Sequence, residues 1–284
     1  MQALFNYQKQ QEHGTKNPIV ARFTVQTAKL LQNCGADAKL SQPIVGLYAG
    51  SMLKRILRCW EIEQGIRANI EEAKASFKPA TGGEAQAIPH VPRLKEDCEN
   101  FLYEFKNFLR ELLDVFNLLY GTDYDEASEW IWKSKKHAQP VIEYAVAKFG
   151  EDDLKTRFLR QMKPCNGPFI AMRNAVEHPD GHSGRLVISD FTIGADGKLN
   201  EPVWSRVKDG TVEYGPTPIL ADLAKGVHNL FVSGEDAFVM WARENLLLLG
   251  VVVLGVIPEA DRNPGCAIKY RLVEGPQSRG RATG

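Results

Sequence analysis

The chain has 284 residues, 44% apolar and 25% charged, with 35 Lys and Arg balancing 35 Asp and Glu to a formal net charge of zero. That length buries a sizeable core in one large domain or two small ones, and the composition excludes a disordered or fibrous chain. A zero balance excludes a global field that recruits nucleic acid or anionic membrane. A polyanion must then be held by a local patch, or by one assembled at a dimer interface.

In chain order, residues 1–40 read as a polar, irregular arm with short helices at most. Residues 1–20 contain no apolar run of signal-peptide length, and the five scattered cysteines, an odd number, fit a reduced cytoplasmic setting. A helix is predicted over Ser41 to Phe77, with Ser41 as N-cap, Pro43 in the first turn, and Leu53, Ile56, Leu57, Trp60, Ile66 and Ile70 at helical steps. Residues 78–92, KPATGGEAQAIPHVP, form a loop. Arg93 to Tyr120 is a second long amphipathic helix, stopped by Gly121. A third runs from about Tyr124 to Phe149 with a kink at Pro140, and two shorter helices, 151–163 and 168–177, flank PCNG.

The periodicity then changes. RLVISDFTIG, EPVWSRV and TVEY form an antiparallel meander at about 184–214, and a helix follows from Ile219 to about Asn245. The stretch LLLLGVVVLGVI, Leu246 to Ile257, is too short for a bilayer span, which needs roughly 20 residues. Its Val-rich half reads as a covered strand, which with 268–274 extends the meander sheet. The expected architecture is mainly α (α+β): an antiparallel helical bundle over 41–247 that includes the meander, C-terminal strands within 248–275 on the same body, and a mobile tail at 276–284.

The five cysteines, Cys34, Cys59, Cys98, Cys165 and Cys266, have neither metal-knuckle nor CxxC spacing, so reduced thiols packed as small apolar residues are expected. Cys165 has no identifiable partner base. No Walker loop, GxGxxG or GxSxG occurs, which argues against NTPase and α/β-hydrolase chemistry. Lys133, Lys135, Lys136 and His137 form the densest basic cluster, beside Trp130 and Trp132. It reads either as a solvated face over core tryptophans or as a weak RNA-binding patch combining stacking with phosphate contact. In HPDGH, the Pro and Gly between His178, Asp180 and His182 destroy metal-ligand spacing, so no metal is expected.

The stretch RNAVEHPDGHSG, residues 173–184, closes the last helix before the meander. Arg173 and Glu177 share a helix face, as do Asn174 and His178, but Arg173 and His178 lie about 140° apart on an ideal helix. They converge only if the helix distorts at His178, and Pro179 supplies the cause by pushing the preceding residue out of the α region. The plainer alternative pairs Arg173 with Glu177, has Asn174 cap the helix or face solvent, and sets His178 against the negative end of the helix dipole.

Arg-x4-His with a polar residue after the arginine, at the end of a late bundle helix, resembles the HEPN domain family. The similarity covers roughly residues 90–180 and at its widest 41–245. It implies a helical-bundle homodimer that cleaves RNA without metal or other cofactor, in toxin–antitoxin or phage-defence systems, with an antitoxin or regulatory protein as further partner. It also implies that some members only bind nucleotides or protein partners. RNA carries its own nucleophile, the 2′-hydroxyl, so such a site needs proton transfer and charge stabilisation. By this resemblance His178 is the general acid/base, Arg173 holds phosphate charge, Asn174 orients or contacts the phosphate, and Glu177 supports Arg173.

Overall fold

The computed structural model describes residues 13–78, 87–248 and 251–275, which are mainly helical with small antiparallel sheets. In order, the helices are α1 (Pro18–Ala21), a π-helical turn (Arg22–Gln26), α2 (Thr27–Asn33), α3 (Ala38–Gly46), a second π-helical turn (Leu47–Met52), α4 (Leu53–Ser76), α5 (Leu94–Tyr120), a 3-10 turn (Ala127–Trp130), α6 (Val141–Phe149) and α7 (Leu154–Glu177). The strands β1 (Arg185–Ser189), β2 (Thr192–Ile193), β3 (Leu199–Asn200), β4 (Val203–Lys208) and β5 (Thr211–Pro218) follow. The chain closes with α8 (Ile219–Glu244), β6 (Val252–Val256) and β7 (Tyr270–Glu274). No described helix is long and apolar enough to cross a membrane.

Two compact units divide the chain: residues 1–53 with 238–284, and residues 54–237. The boundaries read at 40 and 248 do not coincide with this division, because the two chain ends share one cluster. Phe23 and Tyr48 rings lie 5.4 Å apart, and Tyr48 and Phe238 5.5 Å. The Gln26 side-chain oxygen accepts from the backbone N–H groups of Lys269 (2.7 Å) and Tyr270 (3.1 Å), which ties the start of β7 to the first π-helical turn. The described part of the expected irregular arm is therefore largely helical. The N-cap of the following helix is Asp37, whose carboxylate accepts from Leu40 N–H at 3.0 Å, rather than Ser41; Pro43 lies inside α3.

β6 and β7 pair only with each other among the described residues, from Val252↔Glu274 to Val256↔Tyr270, so they do not extend the meander. Leu254 is buried, whereas Val251, Val253 and Val256 are exposed, so the expected covered strand is covered only around Leu254. The expected tail, 276–284, lies outside the described residues.

In the second unit α5 buries Phe101, Leu102, Phe105, Phe108, Leu109, Leu112 and Leu113 at the predicted spacing. It ends on Gly121, which takes the left-handed conformation (φ 69°) and donates to Asn117 C=O at 2.8 Å. Phe105 stacks on Phe169 of α7 at 4.5 Å, and Phe169 meets Trp204 of β4 edge-on at 6.5 Å.

Two helix expectations need correction. No helix spans 124–149: a 3-10 turn and a loop fill 127–140, and only Val141–Phe149 is helical. The buried carboxylate of Glu129 organises that loop, accepting from the backbone N–H groups of Asp125 (2.8 Å) and Glu126 (3.0 Å), from the Ser134 hydroxyl, and from His137 Nδ1 (2.7 Å). The second correction is that α7 is one helix through both Pro164 and Pro168, not two. Each proline forfeits a backbone donor. A buried stripe of Leu159, Met162, Asn166, Phe169, Ile170 and Arg173 nevertheless runs the helix's length at three- and four-residue steps, and packing overrides the local penalty.

The meander orders as β1-β4-β5, with β2 and β3 forming a separate short hairpin. Asp222, in the first turn of α8, anchors it by accepting from Trp204 Nε1 (2.7 Å), Tyr214 OH (2.8 Å) and Thr217 Oγ1 (2.5 Å). Because β1 follows α7 closely, the sheet stands beside the end of the motif helix.

Candidate functional site

The motif helix ends as the proline rule requires. Glu177 is its last residue, and His178 leaves the α region at φ −130°, ψ 72°, while its N–H still donates to Asn174 C=O at 2.9 Å. The side chain of His178 is 73% exposed, and its Nε2 stands 3.9 Å from a Glu177 carboxylate oxygen.

Arg173 takes a different environment. Only 9% of the residue is exposed. Its guanidinium lies over the Tyr103 ring, 4.1 Å from the centroid, and pairs with the same Glu177 oxygen that faces His178. Arg173 Nε is buried with no acceptor. Lys106 of α5 completes the group: its Nζ donates to Asn174 Oδ1 at 2.9 Å and lies 3.7 Å from Glu177. The Arg173 hydrogen bond holds the Glu177 carboxyl below the usual carboxylate range, helped by the charges of Arg173 and Lys106. Burial pulls Lys106 below the ordinary lysine value, Arg173 adds to the shift, and Glu177 opposes it.

One carboxylate thus gathers Arg173, Lys106 and His178, and Asn174 is fastened to Lys106. Arg173 and His178 meet through Glu177: the first is held against the Tyr103 ring, the second is largely exposed. The Arg173–Glu177 pair follows the plainer reading of the motif, whereas Asn174 is held by Lys106 rather than turned to solvent. Lys106 was missed by sequence reasoning, although a signal existed. It interrupts the apolar stripe Leu102, Leu109, Leu113 at a four-residue step from Leu102, where a lysine is buried only with a partner.

A cavity of about 460 Å³ is lined in part by Asn174. Trp132 and Lys133 reach it from the loop after the 3-10 turn, His182 from the turn after α7, and Arg206 and Lys208 from β4. Arg206 Nη1 donates to Ser183 C=O at 2.9 Å, while Nη2 stands 3.6 Å from Glu213, the one carboxylate of the lining.

The basic cluster around residue 133 divides. Lys133 lines the cavity and Lys135 is solvent-exposed. Lys136 is engaged by Asp125 at 3.2 Å and Asp123 at 3.5 Å. His137 has carboxylates on both ring nitrogens, Glu129 at 2.7 Å and Asp123 at 3.0 Å, an arrangement that suits the imidazolium and raises its pKa above 6.5. Trp130 is core, its indole N–H bonded to Leu109 C=O at 2.9 Å, whereas Trp132 is 40% exposed.

Asp125, Glu129 and His137 are the group among the described residues whose ligand atoms approach closely enough for a metal. Both Glu129 oxygens accept from the loop's own donors, His137 among them, and Asp125 pairs with Lys136, so the group acts as a fixture of the loop. No family model, no curated protein and no solved structure matches this chain.

Proposed function

We propose that this protein is a metal-independent endoribonuclease of HEPN type, acting as a homodimer in toxin or phage-defence chemistry. The observation that carries the reading is His178: freed from the helix by Pro179, exposed, and set beside a carboxylate that also holds Arg173 and Lys106. A phosphate approaching this helix end competes with Glu177 for the two buried cations. Neutral His178 takes the proton of the RNA 2′-hydroxyl, that oxygen attacks phosphorus, and the bond to the 5′-oxygen breaks. The leaving oxygen receives its proton from His178 of a second copy, since one imidazole does not serve as base and acid in one step. Charge growing on the phosphoryl oxygens is met by Arg173 and Lys106.

A second reading, binding of nucleotide or protein without cleavage, is favoured by the burial of Arg173 and its capture by Glu177. Purified protein incubated with RNA in chelator separates the two. Cleavage that disappears in His178→Ala supports the enzyme; intact RNA, or equal cleavage by the variant, leaves binding only. Arg173→Ala is a poorer discriminator, because removing a buried, paired guanidinium also perturbs the fold.

A further inference from the structure

We propose that the cavity between the end of α7 and β4 binds a nucleoside monophosphate unit, either free or within an RNA strand. The inference does not depend on catalysis at His178: neither His178 nor Arg173 lines this cavity, and of the motif residues only Asn174 does.

Charge comes first. In a chain of zero net charge, Lys133, Arg206 and Lys208 converge here against the single carboxylate of Glu213. Glu213 pairs with Arg206 Nη2 at 3.6 Å without a hydrogen bond, and Nη1 donates to Ser183 C=O, so the lining still holds three cations against one carboxylate. Two flexible ammonium groups beside a planar fork form a phosphate cradle, favouring an anion with several oxygens over a single carboxylate.

Shape and apolar surface narrow the ligand further. A volume of about 460 Å³ exceeds what inorganic phosphate fills and lies in the range of small-molecule sites. Trp132, 40% exposed as a residue, lines the cavity and offers its indole as a stacking platform for a planar base. His182 and Asn174 add polar edges, and because Lys106 already occupies the Asn174 oxygen, its amide nitrogen remains as the donor. A cradle, an aromatic plate and polar edges in one concave site match phosphate, base and ribose. The meander then has a chemical task, since β4 contributes two of the three cations.

Calorimetric titration of the full chain with AMP, UMP, adenosine, inorganic phosphate and a 2′-O-methyl oligoribonucleotide tests this. A nucleotide probe should bind one per chain, with adenosine and phosphate weaker by about tenfold or more. The Lys133→Ala/Lys208→Ala double variant and Trp132→Ala should each weaken it by about tenfold or more. Lys95→Ala, a charge control on exposed α5 surface, should not. AMP binding identifies a free-nucleotide site, and oligonucleotide binding without AMP binding identifies a subsite of an RNA strand; either supports the proposal if both cavity variants weaken it. No binding of either probe, or binding indifferent to both variants while their circular dichroism matches the parent, overturns it. His178→Ala should keep this binding while losing RNA cleavage, so a failure of the nuclease reading is told apart from a failure of the cavity.

Discussion

Glu177 is the residue on which the behaviour of the motif turns, since Arg173, Lys106 and His178 all face its carboxylate. Removing Arg173 leaves Tyr103 without its cation and Glu177 without its closest partner. Arg173→Ala should therefore lower unfolding free energy in urea by about 1–3 kcal/mol, whereas His178→Ala, at an exposed site, should change it by less than about 0.5 kcal/mol. The loop fixture titrates at both ends of the pH range. Burial opposes ionisation of Glu129, but hydrogen bonds from the Glu126 backbone, Ser134, His137 and the Asp125 backbone prevail and bring its pKa to about 2. The native pKa is depressed, so its contribution is present above the unfolded value near 4.5 and is lost as pH falls toward 2. For His137 the native pKa is raised, so its contribution is complete below 6.5 and is lost as pH rises through the native value. Urea midpoints across pH should fall on both flanks, and Glu129→Gln should flatten the acid flank. The Arg173–Glu177 pair was legible in the sequence because it is local. The Lys106–Asn174 bond joins residues 68 apart, and the stripe that buries Lys106 shows that it needs a partner without showing which one.

Among the secondary-structure elements, amphipathic spacing located α5 to within a residue of its ends, because a buried face and a terminal glycine are both local signals. The same logic failed between 124 and 140, where the apolar residues are real but Glu129, buried among them, gathers the backbone into a loop, and it held only for Val141–Phe149. It failed again at Pro164 and Pro168, where a local penalty was outweighed by a stripe buried along the whole of α7. The turn that delivers β1 from α7 depends on Gly184. At φ +73° it occupies the left-handed region, and a Cβ there would sit 2.2 Å from Val207 C=O. Gly184→Ala should cost about 2 kcal/mol or more, read as a lowered thermal midpoint, and should weaken any ligand held by β4.

For the whole molecule, the balance of charge hid what matters: three cations gathered in one cavity are invisible in a formal charge of zero. The grouping of residues 1–53 with 238–284 was equally hidden, since contacts between chain ends leave no mark on local pattern. With one exposed His178 per chain, the proposed reaction needs two copies, and specific activity should rise with protein concentration through the dimerisation range. The chemistry of the RNA ends is the most direct test. Attack by the 2′-hydroxyl predicts products bearing 2′,3′-cyclic phosphate and 5′-hydroxyl termini, formed in excess chelator and missing with His178→Ala. Uncut RNA, 5′-phosphate termini, or the same products from His178→Ala would contradict the account.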